Sequence, residues 1–466
     1  MEFTILLFVL KTNKERAKKM NRTSLIKPVL DGVYPMVSHG KGVYLYDTNG
    51  NEYLDGSSGA VTANIGHGVE EVWAAMDGQA RKVSFVYRSQ FTSEAAEELA
   101  AKISAMTNGR YSWSFFVNSG SEATETALKI AVQHWQEKGL PKKNRIISRW
   151  MSYHGITLGA LSMSGHPQRR ERFTSILETY PSVSAPYCYR CPYNLEPGGC
   201  EFPCADELEW AIRRTGPDSV AAFIAEPVIG AAGAAISPPD GYLQRLKAIC
   251  EEYDVLFIAD EVMTGFGRTG KILASGHWGV EPDIIAFGKG MSGGYTPIGA
   301  AVMTEKVMEP ILNGSKSIMA GHTLSANPQS CAVSLAVLDY VEKKGLDEKA
   351  LKSGIYLRNL LEKLSYRYPF IGDIRGKGLL LGVEFVQDRE TKEPFPADID
   401  VTNNIIRLAQ ENGLLLYPAS AGVDGVGGAA IIISPPLTIT KREIEDLMRR
   451  LNRTLSQFEE RLQAGT

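Results

Sequence analysis

A lysine and a carboxylate each follow an apolar run in the central part of this 466-residue chain. Lys289 lies between two glycines just after the run 284–287, and Asp260 follows the preceding run, 255–259. Ligands collect at the carboxyl ends of the strands in an open α/β sheet, so we expect these two side chains to share one site. An amine that is partly removed from water has a lowered pKa and becomes a nucleophile.

This pairing of an amine with an acid suits pyridoxal phosphate (PLP), whose aldehyde condenses with a lysine amine. Asp260 would keep the pyridine nitrogen protonated, and a positive ring nitrogen makes the cofactor an electron sink for the carbanion formed on the substrate. The alternative is that Lys289, one of fifty lysines and arginines, merely solvates a loop. Its glycine-rich setting and the upstream acid favour the cofactor interpretation.

Small polar residues join a strand to a helix within residues 115–123. A phosphate fits at such a helix start, where backbone N–H groups and the positive end of the helix dipole bind anions. We therefore predict that Ser119, Gly120 and Ser121 bind the cofactor phosphate. The alternative is an ordinary capping box that joins Ser119 to Glu122.

Three glycines at Gly265, Gly267 and Gly270 have the spacing of a dinucleotide-binding loop, which would indicate a dehydrogenase. That loop must turn directly from a strand into a helix, with an acid about 20 residues further on. Here Asp260 intervenes, and residues 271–278 carry no helical pattern. We therefore interpret this segment as a loop without a dinucleotide.

Four of the six cysteines are concentrated in one Pro- and Gly-rich segment, with the spacing C-x2-C, x8, C-x3-C. This spacing suits a structural zinc ion held by four thiolates. Reduced structural thiols are the alternative, and disulfides are not expected in a cytosolic protein. The predicted ligands are Cys188, Cys191, Cys200 and Cys204.

The charge balance excludes a strongly basic protein, because fifty basic and fifty-three acidic residues give a net charge of −3. No dense basic tract indicates nucleic acid as a partner. Near the start, an apolar run at 4–10 precedes a basic run at 11–19, which is the reverse order of a secretory signal and shorter than the ~20 residues of a membrane span. We expect a cytoplasmic protein without a membrane segment, in which residues 1–20 form a disordered extension.

Strand and helix patterns alternate from about residue 94, which predicts an α/β fold with a mostly parallel sheet covered on both faces. The Asn49-Gly50 pair between two alternating runs predicts a hairpin over 42–55. Thr440 and Glu443 form a capping box for the last helix. The predicted division is an N-terminal part of a small lobe at 21–75, a large cofactor-binding domain at 76–335 and a C-terminal small domain at 336–466.

Several motifs together resemble the class-III PLP-dependent aminotransferases of fold type I, over roughly residues 28–455. They include YLYDTNGNEYLDG, NSGSEATETALK, DEVMTGFGRTG, AFGKGMSGGYTPIG, GHTLSANP and SPPLTIT. The resemblance implies a large domain with a mostly parallel central sheet and a smaller α+β lobe built from both termini. It also implies a homodimer with shared active sites.

Further site residues come from this resemblance. The residue matching Tyr153 stacks on the cofactor ring, the one matching Val262 packs on the other face, and the one matching Thr323 reaches the phosphate of the partner subunit. His154 and Glu226 are carried over as cofactor-binding residues. Without the resemblance, these would be ordinary loop residues, a strand-end acid and a helix cap.

Two departures bear on the substrate. Met263 stands where relatives acting on ornithine or 4-aminobutyrate have glutamine, and no arginine lies between Arg407 and Arg442, where many relatives have one that binds a carboxylate. Arg88 falls where similar enzymes place an aromatic at the substrate pocket, so we predict that it binds the carboxylate. A surface arginine is the ordinary alternative.

The resulting prediction is a transaminase that moves an amino group from an amine or a β- or ω-amino acid to a keto acid such as pyruvate or 2-oxoglutarate. Lys289 forms the covalent bond to the cofactor and carries the proton. Two alternatives stay open: an aminomutase on the same fold, and a PLP-binding protein without enzymatic activity.

Overall fold

The computed structural model describes residues 24–30, 32–196, 199–422, 425 and 427–464. Its strands are β1 (Val37–Lys41), β2 (Tyr44–Asp47), β3 (Glu52–Asp55), β4 (Trp113–Val117), β5 (Arg145–Arg149), β6 (Ser182–Val183), β7 (Val220–Ala225), β8 (Leu256–Asp260), β9 (Ile284–Phe287), β10 (Gly299–Met303), β11 (Ile371–Lys377), β12 (Leu380–Phe385), β13 (Leu414–Leu415), β14 (Tyr417–Ala421) and β15 (Gly428–Ile433). Its helices are α1 (Ser58–Val61), α2 (Glu70–Lys82), α3 (Glu94–Met106), α4 (Gly120–Glu137), α5 (Leu158–Met163), α6 (Pro167–Arg170), α7 (Pro203–Thr215), α8 (Tyr242–Glu252), α9 (Glu305–Asn313), α10 (Pro328–Lys343), α11 (Leu346–Ser365), α12 (Val401–Glu411) and α13 (Lys441–Ala464).

The central sheet has the strand order β4-β10-β9-β8-β7-β5-β6. Strands β5 to β9 pair in parallel, whereas β10 is antiparallel to both of its neighbours. Every residue of β7, β8 and β9 is buried, as expected for parallel strands covered on both faces. The predicted α/β fold with a mostly parallel sheet is confirmed.

A smaller sheet combines strands from distant parts of the chain in the order β1-β2-β3-β13. The predicted hairpin is present, with Tyr46 opposite Glu52 and Gly50 in the left-handed region at φ 83°. Leu414 of β13 pairs in parallel with Leu54 of β3, so a C-terminal strand completes an N-terminal sheet. The antiparallel sheet β11-β12-β15-β14 lies in the C-terminal third. The smaller lobe built from both ends of the chain is confirmed.

Helix α4 packs against the central sheet through the predicted apolar stripe. Ala127, Ile130, Ala131 and Trp135 are all buried. The Trp135 indole Nε1 also donates a hydrogen bond to the carbonyl oxygen of Ala221 in β7, at 2.8 Å. Burial of the stripe and this bond hold α4 in a fixed position, so its first turn is presented at the edge of the sheet where β8 ends.

Two of the predicted domain boundaries fall within helices. The boundary at 75/76 falls inside α2 and the one at 335/336 falls inside α10. We propose that the division follows the ends of these helices. The predicted extension at 1–20 lies outside the described residues. Among the described residues, no helix combines the length and the apolar character that a membrane-spanning segment requires.

Candidate active site

The catalytic candidates Asp260 and Lys289 meet at the carboxyl ends of two neighbouring parallel strands. Asp260 is the last residue of β8 and pairs in register with Ala286 of β9, while Lys289 follows the end of β9. Lys289 has φ 42°, a left-handed conformation that residues other than glycine seldom adopt. Such a conformation persists only where the surroundings hold it, and it is common at active sites.

The Lys289 amine lies among groups that change its acidity. Burial lowers its pKa to about 8, and the negative charges of Asp260 and Glu226 oppose this shift. Removal from water disfavours the charged ammonium, so the neutral amine becomes accessible close to physiological pH. A neutral lysine amine can attack an aldehyde and can accept a proton.

The Asp260 carboxylate is buried and held by two donors. His154 Nδ1 lies 2.7 Å from Asp260 Oδ2, and the backbone N–H of Val262 donates to Oδ1 at 3.0 Å. In the described part of the chain, His154 Nε2 is buried without a hydrogen-bond partner. Two fixed donors orient the carboxylate, so that its remaining lone pairs can accept from one further cationic N–H.

Glu226, at the end of β7, is a second buried acid beside this pair. Its side chain accepts hydrogen bonds from the backbone N–H groups of Tyr153 at 3.0 Å and Gly230 at 2.8 Å. Burial raises its pKa, and the Asp260 charge acts in the same direction. Glu226 therefore fixes the Tyr153 backbone and the loop that follows β7.

The start of α4 contains both the predicted cap and the geometry of a phosphate site. Ser119 Oγ accepts the backbone N–H of Glu122 at 3.2 Å, which confirms the capping interaction. Ser121 Oγ accepts from the backbone N–H of Ile156 at 3.1 Å. The N–H groups of a first helical turn have no acceptor inside the helix, so they remain suited to an anion.

Gly120 and Val262 show how closely this helix start approaches the end of β8. A Cβ atom on Gly120 would lie 2.6 Å from Val262 Cγ1, and one on Gly288 would lie 3.2 Å from the same atom. Val262 thus lies between the first turn of α4 and the segment that carries Lys289. The absence of side chains at both glycines brings the phosphate candidates next to the lysine.

Tyr153 is half-buried beside the acids. The Arg169 Cζ atom lies 4.5 Å from the centre of the Tyr153 ring, and the ring centres of Tyr153 and His166 are 6.4 Å apart. Burial raises the pKa of the Tyr153 hydroxyl, so it stays protonated at neutral pH. Arg169 was not among the predicted site residues, because Gln168-Arg169-Arg170 has the pattern of an ordinary solvated face.

Thr323 and Arg88 lie together at the outer side of the site. Arg88 Nη2 donates to the carbonyl oxygen of Ala320 at 2.6 Å, and its Cζ atom is 4.9 Å from the centre of the Phe115 ring. Thr323 is exposed, and the adjacent His322 Nδ1 lies 3.7 Å from the Oε1 atom of Glu122 in α4. The segment 320–323 therefore borders the start of α4.

The predicted zinc site at Cys188, Cys191, Cys200 and Cys204 is not supported. In the parts of the chain that the structure describes, no three His, Cys, Asp or Glu side chains are arranged to hold a metal ion. Burial and the neighbouring thiols raise the pKa of Cys204 to about 12 and also raise that of Cys188. The structure shows all four side chains as free thiols, which is the alternative interpretation of this segment.

The residues at the strand ends fit PLP as a group. The Lys289 amine, with its lowered pKa, can react with the cofactor aldehyde. The buried Asp260 carboxylate can form an ion pair with a protonated ring nitrogen. The first turn of α4 beside Gly120 matches the phosphate, and Tyr153 and Val262 are the side chains that the family resemblance assigns to the two faces of the ring. The ends of β7, β8 and β9 and the start of α4 therefore bring the predicted cofactor-binding residues, apart from Thr323, together around Lys289.

Comparisons with known proteins agree with this geometry. A sequence profile described as aminotransferase class-III matches residues 29–455. The uncharacterized aminotransferase YodT of Bacillus subtilis (strain 168) is 52% identical over 438 residues, 94% of this chain and 98% of that protein. Putrescine–pyruvate aminotransferase of Pseudomonas aeruginosa is 33% identical, over 91% of this chain and 90% of that protein.

The solved structures extend the agreement to the fold. An amine transaminase from an uncultivated Pseudomonas species, in its PLP-bound form, superposes with a TM-score of 0.87 at 35% identity, over 93% of this chain and 97% of that one. The family profile spans most of the sequence, and the lysine and acid at the strand ends are the residues that PLP chemistry requires. This chain belongs to the class-III aminotransferases, which are PLP-dependent enzymes.

Proposed function

We propose that this chain transfers an amino group from an amine or a β- or ω-amino acid to a keto acid such as pyruvate or 2-oxoglutarate. The observation that carries the proposal is the buried pair of strand ends, with the Lys289 amine beside the Asp260 carboxylate. The putrescine–pyruvate aminotransferase relative acts on an amine and a keto acid, as its name states. Its likeness over most of the chain supports the same substrate classes here.

The chain's own residues account for the proton movements of such a reaction. PLP supplies the aldehyde that carries the nitrogen and the electron sink that stabilises the carbanion. Lys289 Nζ, as a free amine, takes the proton from the substrate carbon that bears the nitrogen. Asp260 keeps a positive charge on the group that it faces, and His154 and Val262 hold the carboxylate in position.

We also propose a homodimer with shared active sites, in which Thr323 contributes to the phosphate site of the partner subunit. Large exposed apolar side chains support it, and they cluster in two segments that the Arg88–Ala320 hydrogen bond joins. A surface with this many exposed apolar groups is typical of a protein interface. These side chains are Phe85, Tyr87, Phe91, Met319 and Leu324.

Arg88 remains our sequence-based proposal for binding the carboxylate of the keto acid. Its guanidinium is exposed and has donors beyond the one that bonds to Ala320, so it can take part in a second pairing. The proposed interface includes this segment, which would enclose Arg88 between subunits. The cytoplasmic location also stays a prediction from the sequence.

The proposed function is tested by following the two half-reactions separately. We expect the visible absorbance of the PLP-loaded enzyme to fall when an amine donor is added and to return when pyruvate or 2-oxoglutarate follows. A screen of diamines and ω-amino acids then identifies the donor. A rearranged product formed without any keto acid would indicate an aminomutase instead, and an unchanged spectrum with every donor would contradict the proposal.

A further inference from the structure

A cavity of about 640 Å³, lined in part by His166 and Arg169, opens beside Tyr153 and is not part of the proposed cofactor contacts. Its walls come from the segment around α6, the loop after β7, the start of α12 and the edge formed by β14 and β15. Among the residues that face it are His166, Arg169, Ala231, Asp400 and Ser420. The cavity is thus enclosed by both the large domain and the C-terminal elements.

The positive charge of Arg169 in this cavity influences the reacting lysine. Its Cζ atom lies over the Tyr153 ring at 4.5 Å, and its charge is close enough to act on both the Tyr153 hydroxyl and the Lys289 amine. In the described part of the chain, no carboxylate forms an ion pair with it. Its guanidinium also interacts with the Tyr153 hydroxyl, and because a guanidinium has five N–H donors, the remaining ones can bind a ligand in the cavity.

Other arginines near the site have fixed partners. Arg170 Nη1 donates to the carbonyl oxygens of Leu161 and Ser162, at 3.2 and 3.0 Å. Arg268 is buried, and its Nη1 donates to the carbonyl oxygens of Leu379 and Pro435, at 3.0 and 2.6 Å. These side chains serve the fold and cannot turn toward a substrate.

The other titratable side chains that line the cavity, His166 and Asp400, offer no positive charge that could bind an anion at pH 7. Burial and the Arg169 charge lower the pKa of His166 to about 4, so this imidazole is neutral at pH 7. The two oxygens of Asp400 accept from Asn403 Nδ2, at 2.9 and 3.1 Å. Arg169 is therefore the positive group that the lining offers.

We propose that Arg169 binds the carboxylate of the keto acid acceptor, and of amino acid donors, in the cavity beside Tyr153. The inference rests on the proposed transaminase function and names the residue that selects its carboxylate-bearing substrates. A carboxylate that leaves water for a partly buried pocket needs a cation, and a guanidinium matches its two oxygens with two parallel hydrogen bonds. Charge-assisted pairing of this kind changes affinity about ten- to a hundredfold.

The test compares Arg169→Ala with Arg169→Lys and the wild-type holoenzyme. The amine-loaded enzyme is mixed with pyruvate, 2-oxoglutarate or butanal, and the return of visible absorbance gives an apparent Kd for each acceptor. We expect Arg169→Ala to weaken both keto acids about ten- to a hundredfold and to leave butanal, which has no carboxylate, unchanged. Arg169→Lys should recover part of the loss, since it keeps the charge but not the paired donors.

A binding measurement without turnover supports the same comparison. Calorimetric titration of each holoenzyme with propionate and glutarate, which cannot be aminated, should show the same selective weakening in Arg169→Ala. Arg172→Ala removes an exposed arginine in the next turn and serves as the matched control. Equal losses for butanal and the keto acids, or no loss for any of them, would overturn the proposal.

Two further outcomes separate this inference from its alternatives. A selective loss in Arg88→Ala with none in Arg169→Ala would assign the carboxylate to Arg88 and overturn the role of Arg169. If no acceptor restores the absorbance of the wild-type enzyme, the proposed function fails, while the propionate and glutarate titrations still report whether Arg169 binds a carboxylate.

Discussion

The chemistry of this protein depends on a few side chains whose properties are set by their surroundings. Lys289 has a left-handed backbone and a pKa of about 8, both of which follow from its place between the end of β9 and the first turn of α4. Asp260 lies beside it with both oxygens already hydrogen-bonded by the protein. The neutral lysine amine is thereby accessible near physiological pH, and we propose that the acid pairs with the ring nitrogen of the cofactor.

Replacing Lys289 by alanine should remove turnover while leaving the phosphate site intact. We expect PLP to bind without a covalent bond, and kcat to fall by about 10²- to 10⁴-fold or more, because a nucleophile and a proton carrier are both lost. In the wild-type protein, borohydride reduction followed by peptide mapping should place the cofactor on Lys289. Cofactor attached to another lysine would contradict the assignment.

Asp260→Asn should preserve the fold but remove most of the activity. The neutral amide leaves a cationic ring nitrogen without its anion in a buried site, which costs about 3–4 kcal/mol, or roughly 10²- to 10³-fold in kcat/KM. Circular dichroism and Tm measurements check that the variant is folded. Turnover close to that of the wild type would show that the acid has only a structural role.

The pKa of Lys289 also predicts a pH dependence in the cofactor-free protein. The rate at which added PLP becomes covalently attached should rise with a midpoint near pH 8, since only the free amine attacks the aldehyde. The folded pKa lies below the value of 10.5 for a solvated lysine, so the unfolded state binds the extra proton between pH 8 and 10.5. The free energy of unfolding should therefore increase as the pH rises from 8 to 10.5. A midpoint near 10 would contradict the burial argument.

At the scale of elements, the site depends on how closely a helix start approaches two strand ends. The stripe of α4 and the Trp135–Ala221 hydrogen bond fix the helix on the sheet, and Gly120 allows its first turn to contact Val262. The phosphate candidates and the lysine belong to separate segments of the chain. Their meeting is a consequence of packing between α4, β8 and β9.

Gly120→Ala should weaken PLP binding without unfolding the protein. The added Cβ atom would lie 2.6 Å from Val262 Cγ1, so either the helix start or the valine must move. Overpacking of this kind costs about 1–3 kcal/mol, which corresponds to about five- to a hundredfold in the Kd for PLP. Gly78→Ala in α2, where a Cβ atom meets open space, is the matched control. Equal affinities in the two variants would argue against close packing at Gly120.

At the level of the whole molecule, Thr323 lies in an exposed segment that borders the start of α4. The exposed apolar residues around Arg88 and Leu324 lie in this region, whereas elements of the large domain and of the C-terminal third line the cavity with Arg169. A second copy of the chain on the apolar surface would complete the phosphate site. Arg88 and Arg169 are therefore alternative cations for the carboxylate of the keto acid, and the two alanine variants distinguish them.

Leu324→Glu should disrupt the proposed dimer and lower the affinity for PLP. A charge in a buried apolar interface is costly, and a monomer lacks Thr323 of the partner subunit. Sedimentation and PLP titration measure the two effects together. Ile355→Glu changes an equally exposed apolar residue on α11 and should alter neither. A dimer that survives Leu324→Glu with normal PLP affinity would place the interface elsewhere.

Local signals in the sequence were sufficient to predict many of the elements and to propose the principal site residues. Apolar runs that end in Asp260 and Lys289, and an Asn-Gly turn between alternating runs, are local signals that need no distant partner. The strands at 255–259 and 284–287 and the capping box at Thr440 were therefore predicted within a residue or two. Cysteine spacing was a weaker signal for a zinc site, because spacing along the chain does not determine how the four thiols are oriented relative to one another.

Which side chains lie next to one another became apparent from the folded chain alone. Spacing along the chain does not reveal that Gly120 packs on Val262, that His154 bonds to Asp260, or that Arg88 bonds to the Ala320 carbonyl oxygen. Arg169 carries no signal in the sequence, since its position beside Tyr153 arises where α6 meets the loop after β7. The physical reason is that burial, and with it pKa and free hydrogen-bonding capacity, depends on contacts between segments far apart in the chain.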